Sequence, residues 1–303
     1  MSTTAGAVRV ASPTEGRNPR TTDLDRLDTL ELVRALHAED ARVPAAVAAA
    51  LPQLAEAVDL VVAALRSGGR IHYFGAGSSG RFGVLDAAEV PPTYGLPADR
   101  FVAHLAGGQQ AMTSAVESVE DHEDAGRAAA DQLGPVDVAV GLTASGRTPY
   151  VAGALAAARA AGTRTVLVSG NPHAPLAPLA DVHIAADTGP EAVMGSTRMK
   201  AGTAQKLVLH TLSTAAMVRL GRTYSNLMVD VVATNAKLRG RVLTILVAAT
   251  GVDEQTGRRV LADSGGDLKT AIVAVLGSLD PVTARIRLDE AGGHVRQAIA
   301  ARP

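Results

Sequence analysis

The chain has 303 residues, 47 % of them hydrophobic, yet it carries only four tyrosines, three phenylalanines and no tryptophan. Its core must therefore be built from Ala, Val and Leu, which favours helices on parallel strands over a β-sandwich. A net charge of −1 without a basic run argues against nucleic acid, and zero cysteines exclude disulfides, thiolate nucleophiles and thiolate-bound zinc.

Residues 1–18 are small, polar and aperiodic and read as a mobile tail. No stretch approaches a membrane span and the N-terminus lacks the order of a signal peptide, so a cytoplasmic protein is expected. Asp28 and Glu31 have capping-box spacing, which predicts a short helix over 28–37. Val47, Leu51, Leu54, Val58, Val61, Val62 and Leu65 recur every three or four positions and predict one long helix over 43–65. Ser67-Gly68-Gly69 is its stop. Strands are predicted at 71–74, 101–105, 136–142, 165–168 and 182–185, with helices at 80–88, 109–120, 121–132 and 148–161. This alternation predicts an α/β fold, a doubly wound parallel five-stranded sheet flanked by helices. A long helix follows Met199 and stops at Gly221. Short helices at 237–249, 254–261, 268–276 and 281–288 then predict a small all-α C-terminal domain. The expected organisation is a tail and short helix over 1–42, the α/β domain over 43–235 and the helical domain over 236–303.

Two loops stand out. The first strand runs into Gly75-Ala76-Gly77-Ser78-Ser79-Gly80 and then a helix, the layout that aims backbone N–H groups at a phosphate. It satisfies the G-x-G-x-x-G dinucleotide pattern, but the second strand ends His104-Leu105-Ala106-Gly107-Gly108 without the acid that would hold a ribose. The two serines suit a monophosphate better. The second loop, Thr143-Ala144-Ser145-Gly146-Arg147-Thr148-Pro149, follows the third strand, with Thr148 placed as N-cap and Pro149 at the first helical position. One such loop would read as a well-made helix start. Two of them beyond strands of one sheet lie where open α/β sheets bind ligands.

The loops GAGSSG and TASGRTP resemble those of the sugar isomerase (SIS) domain, which binds phosphosugars. The blocks RFGVLDAAEVPPTYG (81–95), GPEAVMGSTRMKAGTAQKLVL (189–209) and NLMVDVVATN (226–235), with TEGRNPRTTDLDRLDTLE (14–31), resemble the N-acetylmuramic acid 6-phosphate etherase family more closely. The resemblance runs from Thr14 to the C-terminus and implies a helical C-terminal domain similar to ubiquitin-associated folds. It also implies a homodimer whose active site borrows residues across the interface. The implied reaction removes D-lactate from the sugar's C3 ether to leave N-acetylglucosamine 6-phosphate. With the ring open, the C1 aldehyde acidifies the C2 proton. A base removes it, an acid protonates the departing oxygen, and water adds back. Two carboxyl groups in different protonation states suffice, with no metal or cofactor.

By that resemblance Glu89, in AAEVPPTYG, is the proton donor, and its apolar neighbours are expected to favour the protonated form. A helix-end glutamate facing solvent is the competing reading. Aligning AVESVED places the base on Glu120, with Glu117 as the competitor on the same predicted helical face. Gly77, Ser78, Ser79, Ser145, Gly146 and Thr148 are candidates for the phosphosugar. Glu191 either lines the pocket or holds the loop before Gly195. Ser196, Thr197 and Lys200 form a possible third turn, and Lys200 at a helix start is electrostatically unfavourable unless an anion lies near it. Arg81, Arg147 and Arg198 each sit in or just after a loop as candidates for the lactyl carboxylate. The eight histidines show no metal-ligand spacing. A phosphosugar isomerase, or a sugar-phosphate-sensing regulator like the glucokinase regulatory protein, remains the alternative.

Overall fold

The computed structural model describes residues 12–231 and 236–300. Residues 1–11 of the expected tail and 232–235 of the 226–235 block, where the predicted domain boundary falls, lie outside the described residues. The described chain divides into two compact units, one made of the chain up to Ala87 with Asp99–Leu212, the other of Ala88–Ala98 with the chain from Ser213.

In the first unit the N-terminal stretch departs from a tail. Pro13–Glu15 form a 3-10 turn, and Thr14 and Asn18 are buried. Helix α1 (Thr29–Asp40) opens with the predicted capping box, in which Asp28 accepts from the Glu31 amide and Glu31 reaches back to the Asp28 amide. The single helix expected over 43–65 is two, α2 (Val43–Ala49) and α3 (Leu51–Arg66). Pro52 lacks the N–H that would bond the Ala48 carbonyl, and the axis turns by 63° between Thr29–Ala49 and Leu51–Arg66. Ser67 caps α3 and Gly68 follows at φ +80°, a left-handed stop.

Strands β1 (Ile71–Gly75), β2 (Phe101–Leu105), β3 (Val138–Thr143), β4 (Arg164–Ser169) and β5 (Val182–Ala185) form the parallel sheet in the order β2-β1-β3-β4-β5. The chain leaves β1 toward β2 on one side and returns to β3 on the other, so β1 and β3 flank the topological switch point. Their register pairs Gly75 with Leu142, which brings the loops after both strands out side by side. Helix α4 (Gly77–Tyr94) follows β1 and is longer than expected. Pro91 and Pro92 sit inside it, each lacking the amide N–H that a helical residue would donate. The predicted 109–120 helix survives only as α5 (Gln110–Thr113), because Ser114 is extended and Ser118 left-handed at φ 63°. Helix α6 (Glu123–Ala129) precedes β3, and α7 (Pro149–Ala160) follows it.

Small residues let these layers approach closely. Phe74, Ala139 and Leu167 of the sheet share one core cluster with Val151, Ala154 and Leu155 of α7. An added Cβ at Gly126 would lie 1.9 Å from the Tyr150 carbonyl oxygen, and one at Gly153 2.0 Å from that of Glu123, so α6 and α7 meet backbone to backbone. A chain poor in aromatic residues packs in this way.

In the first unit the long helix α8 (Lys200–Arg219) begins at the predicted place, and Gly221 stops it at φ +70° in the second. That unit continues with a short antiparallel pair, β6 (Thr223–Tyr224) and β7 (Leu227–Met228), and helices α9 (Ala236–Thr250), α10 (Glu254–Asp263), α11 (Leu268–Gly277), α12 (Pro281–Glu290) and α13 (Val295–Ala300). The β6–β7 pair and α13 lie outside the predicted elements. Leu246, Ala271, Ile272, Val273, Ala284 and Val295 are central to its core. Asp230 is held there between Lys269 (2.6 Å) and Arg222 (3.4 Å), although burial pushes its carboxyl above the usual range.

Gly126→Ala is expected to destabilise the first unit by about 1–3 kcal/mol through overpacking, despite a helix-propensity gain of up to about 1 kcal/mol. The check is the urea midpoint. An unchanged or raised midpoint would mean that α6 and α7 can separate at little cost.

Candidate active site

A cavity of about 660 Å³ opens at the switch point, lined by Gly77, Ser78 and Ser79 from the first loop and by Thr143, Ser145, Arg147 and Thr148 from the second. Glu120, Asp121, Glu15, Gly195 and Thr197 complete its polar wall. Of the predicted substrate residues, the cavity thus brings together Gly77, Ser78, Ser79, Ser145 and Thr148.

The first loop is shaped by glycines. Gly77 takes φ +52°, and an added Cβ at Gly80 would lie 2.5 Å from the Gly75 oxygen. The start of α4 can therefore fold directly back over β1, with Ser78 and Ser79 in its first turn. In the second loop Gly146 takes φ +77°, and an added Cβ would lie 2.4 Å from that of Ala174. Gly146 accordingly shapes the loop without lining the cavity. The Gly146 amide donates to Thr143 Oγ1 (3.2 Å), and the buried Asn171 donates from Nδ2 to the Ser145 carbonyl (3.0 Å). Asn171 carried no sequence signal as a support. Thr148 occupies the N-cap position of α7 but does not accept from its amides. Its hydroxyl pairs instead with Thr143 Oγ1 at 2.8 Å. The first turns of α4 and α7 thus flank one cavity, each with hydroxyl side chains beside it, an arrangement that suits an oxyanion.

Glu120 lines the cavity from a 3-10 turn (Val119–Asp121), not from a helix. The competition with Glu117 for a shared helical face therefore disappears. Glu117 does not line the cavity, whereas Asp121, unflagged in the sequence, does. Val119 anchors the turn against the core cluster. Arg81 steadies the preceding segment by donating from Nε to the Ala111 carbonyl (2.9 Å) and from Nη2 to that of Ser114 (3.1 Å). Glu89 lies about three turns beyond Ser78 along α4. It is exposed, Thr93 Oγ1 donates to its carbonyl at 2.7 Å, and it is not among the lining residues. The apolar surroundings expected from Ala88 and Val90 are not supplied: Ala88 faces outward with it, and Val90 turns to the core.

Glu191 takes the structural of its two readings, and Lys200 departs from expectation. Neither lines the cavity, nor does Ser196. Both are fully buried. The Glu191 carboxylate accepts from the Lys200 and Ala201 amides, each at 2.9 Å, and so caps α8 from within the chain. Burial pushes its carboxyl above the usual range while those amides pull it down. Lys200 Nζ lies 2.7 Å from Glu39 Oε2 and donates to the Thr188 carbonyl at 3.0 Å. The anion required by a lysine at a helix start is thus Glu39, not a ligand. Arg20 donates from Nε (2.5 Å) and Nη2 (2.9 Å) to Glu39, and Asn18 from Nδ2 at 2.8 Å. Arg20 foremost, with Lys200 and Asn18, holds the Glu39 carboxyl far below the usual range against the effect of burial. Thr21 Oγ1 adds a bond to the Ala192 carbonyl at 2.7 Å. The network ties residues 18–21 to 188–200, and thereby brings Glu15 to the rim beside Gly195 and Thr197.

Arg147 Nη1 is buried and finds no acceptor among the described residues. A buried donor left unmade costs on the order of 1–3 kcal/mol, more when charged. Among the described residues this guanidinium is also the single cationic side chain lining the cavity, against Glu15, Glu120 and Asp121.

The architecture matches known proteins at two levels. The SIS domain model matches residues 109–215, and the glucokinase regulatory protein N-terminal SIS domain model matches 53–159. A phosphoheptose isomerase from Francisella tularensis shares the fold at TM-score 0.50 and 16 % identity, covering 63 % of this chain and 100 % of its own. The five-stranded parallel sheet with hydroxyl-bearing loops at its switch point is therefore that of an SIS-domain protein. Over nearly the whole chain the likeness is narrower. An N-acetylmuramic acid 6-phosphate etherase of Thermobifida fusca is 59 % identical over 273 residues, 90 % of each chain. Proteins of the same name from Pectobacterium atrosepticum and Streptomyces avermitilis are 51 % and 50 % identical over 94 % and 96 % of this chain, covering 95 % and 94 % of their own. The chain belongs to the N-acetylmuramic acid 6-phosphate etherase family.

Lys200→Met is expected to cost about 3–5 kcal/mol, because it leaves Glu39 short of a partner inside the fold. A depressed carboxyl contributes stability that is complete above its unfolded value of about 4.3 and is lost as pH falls below it. The gap between wild type and variant in urea unfolding should therefore be widest near neutrality and narrow below about pH 4.5. A gap that is constant with pH would refute the ion-pair origin.

Proposed function

We propose that this protein cleaves the D-lactyl ether of N-acetylmuramic acid 6-phosphate, as a cytoplasmic carbon–oxygen lyase in the recycling of cell-wall amino sugars. The observation that carries the proposal is the cavity itself. It combines two hydroxyl-bearing helix starts suited to a phosphate with a carboxylate, Glu120, on the same wall, in a chain whose etherase relatives cover nearly all of it.

The phosphate docks on Ser78, Ser79, Ser145 and Thr148. With the sugar ring open, Glu120 removes the C2 proton, and the C2–H electrons form a C2=C3 double bond as the C3–O bond breaks. Glu89 supplies the proton that leaves with the lactate oxygen. Water then adds across the double bond, oxygen to C3 and hydrogen to C2, with the two carboxyl groups in exchanged roles. The balance is substrate plus water to N-acetylglucosamine 6-phosphate plus D-lactate. A homodimer is part of the proposal, since Glu89 is exposed in the single chain. The isomerase shares the C2 step but needs no acid at C3. The regulator rests on a likeness confined to residues 53–159.

The test is release of D-lactate from N-acetylmuramic acid 6-phosphate in deuterated water by wild type, Glu89→Ala and Glu120→Ala. Wild type should release lactate and each variant should lose about 10²–10⁴-fold in kcat. Glu89→Ala should still exchange the C2 proton. Wild type that binds the ligand and releases no lactate would refute the etherase.

A further inference from the structure

Each of the three arginines near the loops has a distinct environment. Arg81 spends Nε and Nη2 on the Ala111 and Ser114 carbonyls. Arg198 is exposed and does not line the cavity. Arg147 lines it with Nη1 buried and unpaired. We propose that Arg147 receives the lactyl carboxylate of N-acetylmuramic acid 6-phosphate and makes the site selective for sugars that still carry the lactyl group. The inference rests on the etherase proposal above and adds to it the residue that reads the leaving group.

The substrate brings two anions to one cavity. The phosphate has neutral donors enough in the hydroxyls of Ser78, Ser79, Ser145 and Thr148 and in the two helix starts, whose amides and dipoles favour a phosphate without a cation. The lactyl carboxylate has no such cradle. It must enter a wall that already holds Glu15, Glu120 and Asp121, and like charges at close range disfavour one another. A guanidinium is the group that reverses this, and its planar fork matches a carboxylate through two parallel N–H···O bonds. A buried nitrogen without a protein acceptor is what such a site looks like before its anion arrives. The position of Arg147 serves the same end: it stands between Ser145 and Thr148, so a group bound to it lies beside the phosphate cradle within one small sugar derivative's reach.

The test uses two unreactive ligands, made by reducing the C1 aldehyde to an alcohol so that the C2 proton is no longer acidified. One is N-acetylmuramitol 6-phosphate, the other N-acetylglucosaminitol 6-phosphate, which lacks the lactyl group. Titration calorimetry is run on wild type, Arg147→Ala and Arg147→Gln. Wild type should bind the lactyl-bearing alditol about 10–100-fold more tightly, the range for a charge-assisted pair. Both variants should lose that preference while binding the lactyl-free alditol within about twofold of wild type, which also shows that they are folded. Arg147→Gln, closest in shape, carries the test if the alanine variant does not fold. Equal weakening for both ligands, or a preference that survives in the variants, overturns the proposal. Wild type that neither distinguishes the two ligands nor releases lactate from the true substrate would instead overturn the etherase proposal itself.

Discussion

The pairing of β1 with β3 is the constraint on which the cavity depends. Because Gly75 is registered with Leu142, the loops after these two strands leave the sheet at the same height, and the helices that follow start on either side of one gap. A shift of register would move one loop up the sheet and invert the faces of every side chain on that strand. The placement of those helices in turn depends on small residues. Gly75 and Gly80 touch at the turn into α4, and Gly141 lets α7 settle onto β3, where an added Cβ would lie 2.6 Å from Val151 Cγ1. The scarcity of aromatic residues is thus linked to the cavity, because it allows backbones to approach closely enough for two helix starts to flank one gap.

A second constraint closes the opposite rim. Buried charge seldom stabilises a fold more than well-packed apolar residues would, and it is retained where it fixes one arrangement. Here Glu39 gathers Arg20, Asn18 and Lys200, chain segments far apart in sequence, while Glu191 takes the amides at the start of α8. The result positions Glu15, Gly195 and Thr197 around the cavity. The 189–209 block is therefore mostly scaffold, with its cavity-lining positions, Gly195 and Thr197, confined to the turn it supports.

The sheet and both loops were legible because they follow from local chemistry: apolar runs of strand length, glycines at tight turns, Ser and Thr at helix starts. What was not legible depends on distance or on details of the backbone. Lys200 looked like a ligand residue because its partner lies 161 positions away in the chain. Thr148 has the spacing of an N-cap, yet its hydroxyl pairs with Thr143 and accepts from no amide of α7. The 109–120 stretch has helical composition, yet Ser118 adopts a left-handed φ that no propensity signals, and this breaks the face that Glu117 and Glu120 would share. Pro52 carries the signal for the break between α2 and α3, which the apolar periodicity running through both helices hides. The roles expected of Glu89 and Glu120 came from family resemblance, and nothing in local spacing separates Glu120 from the acids around it.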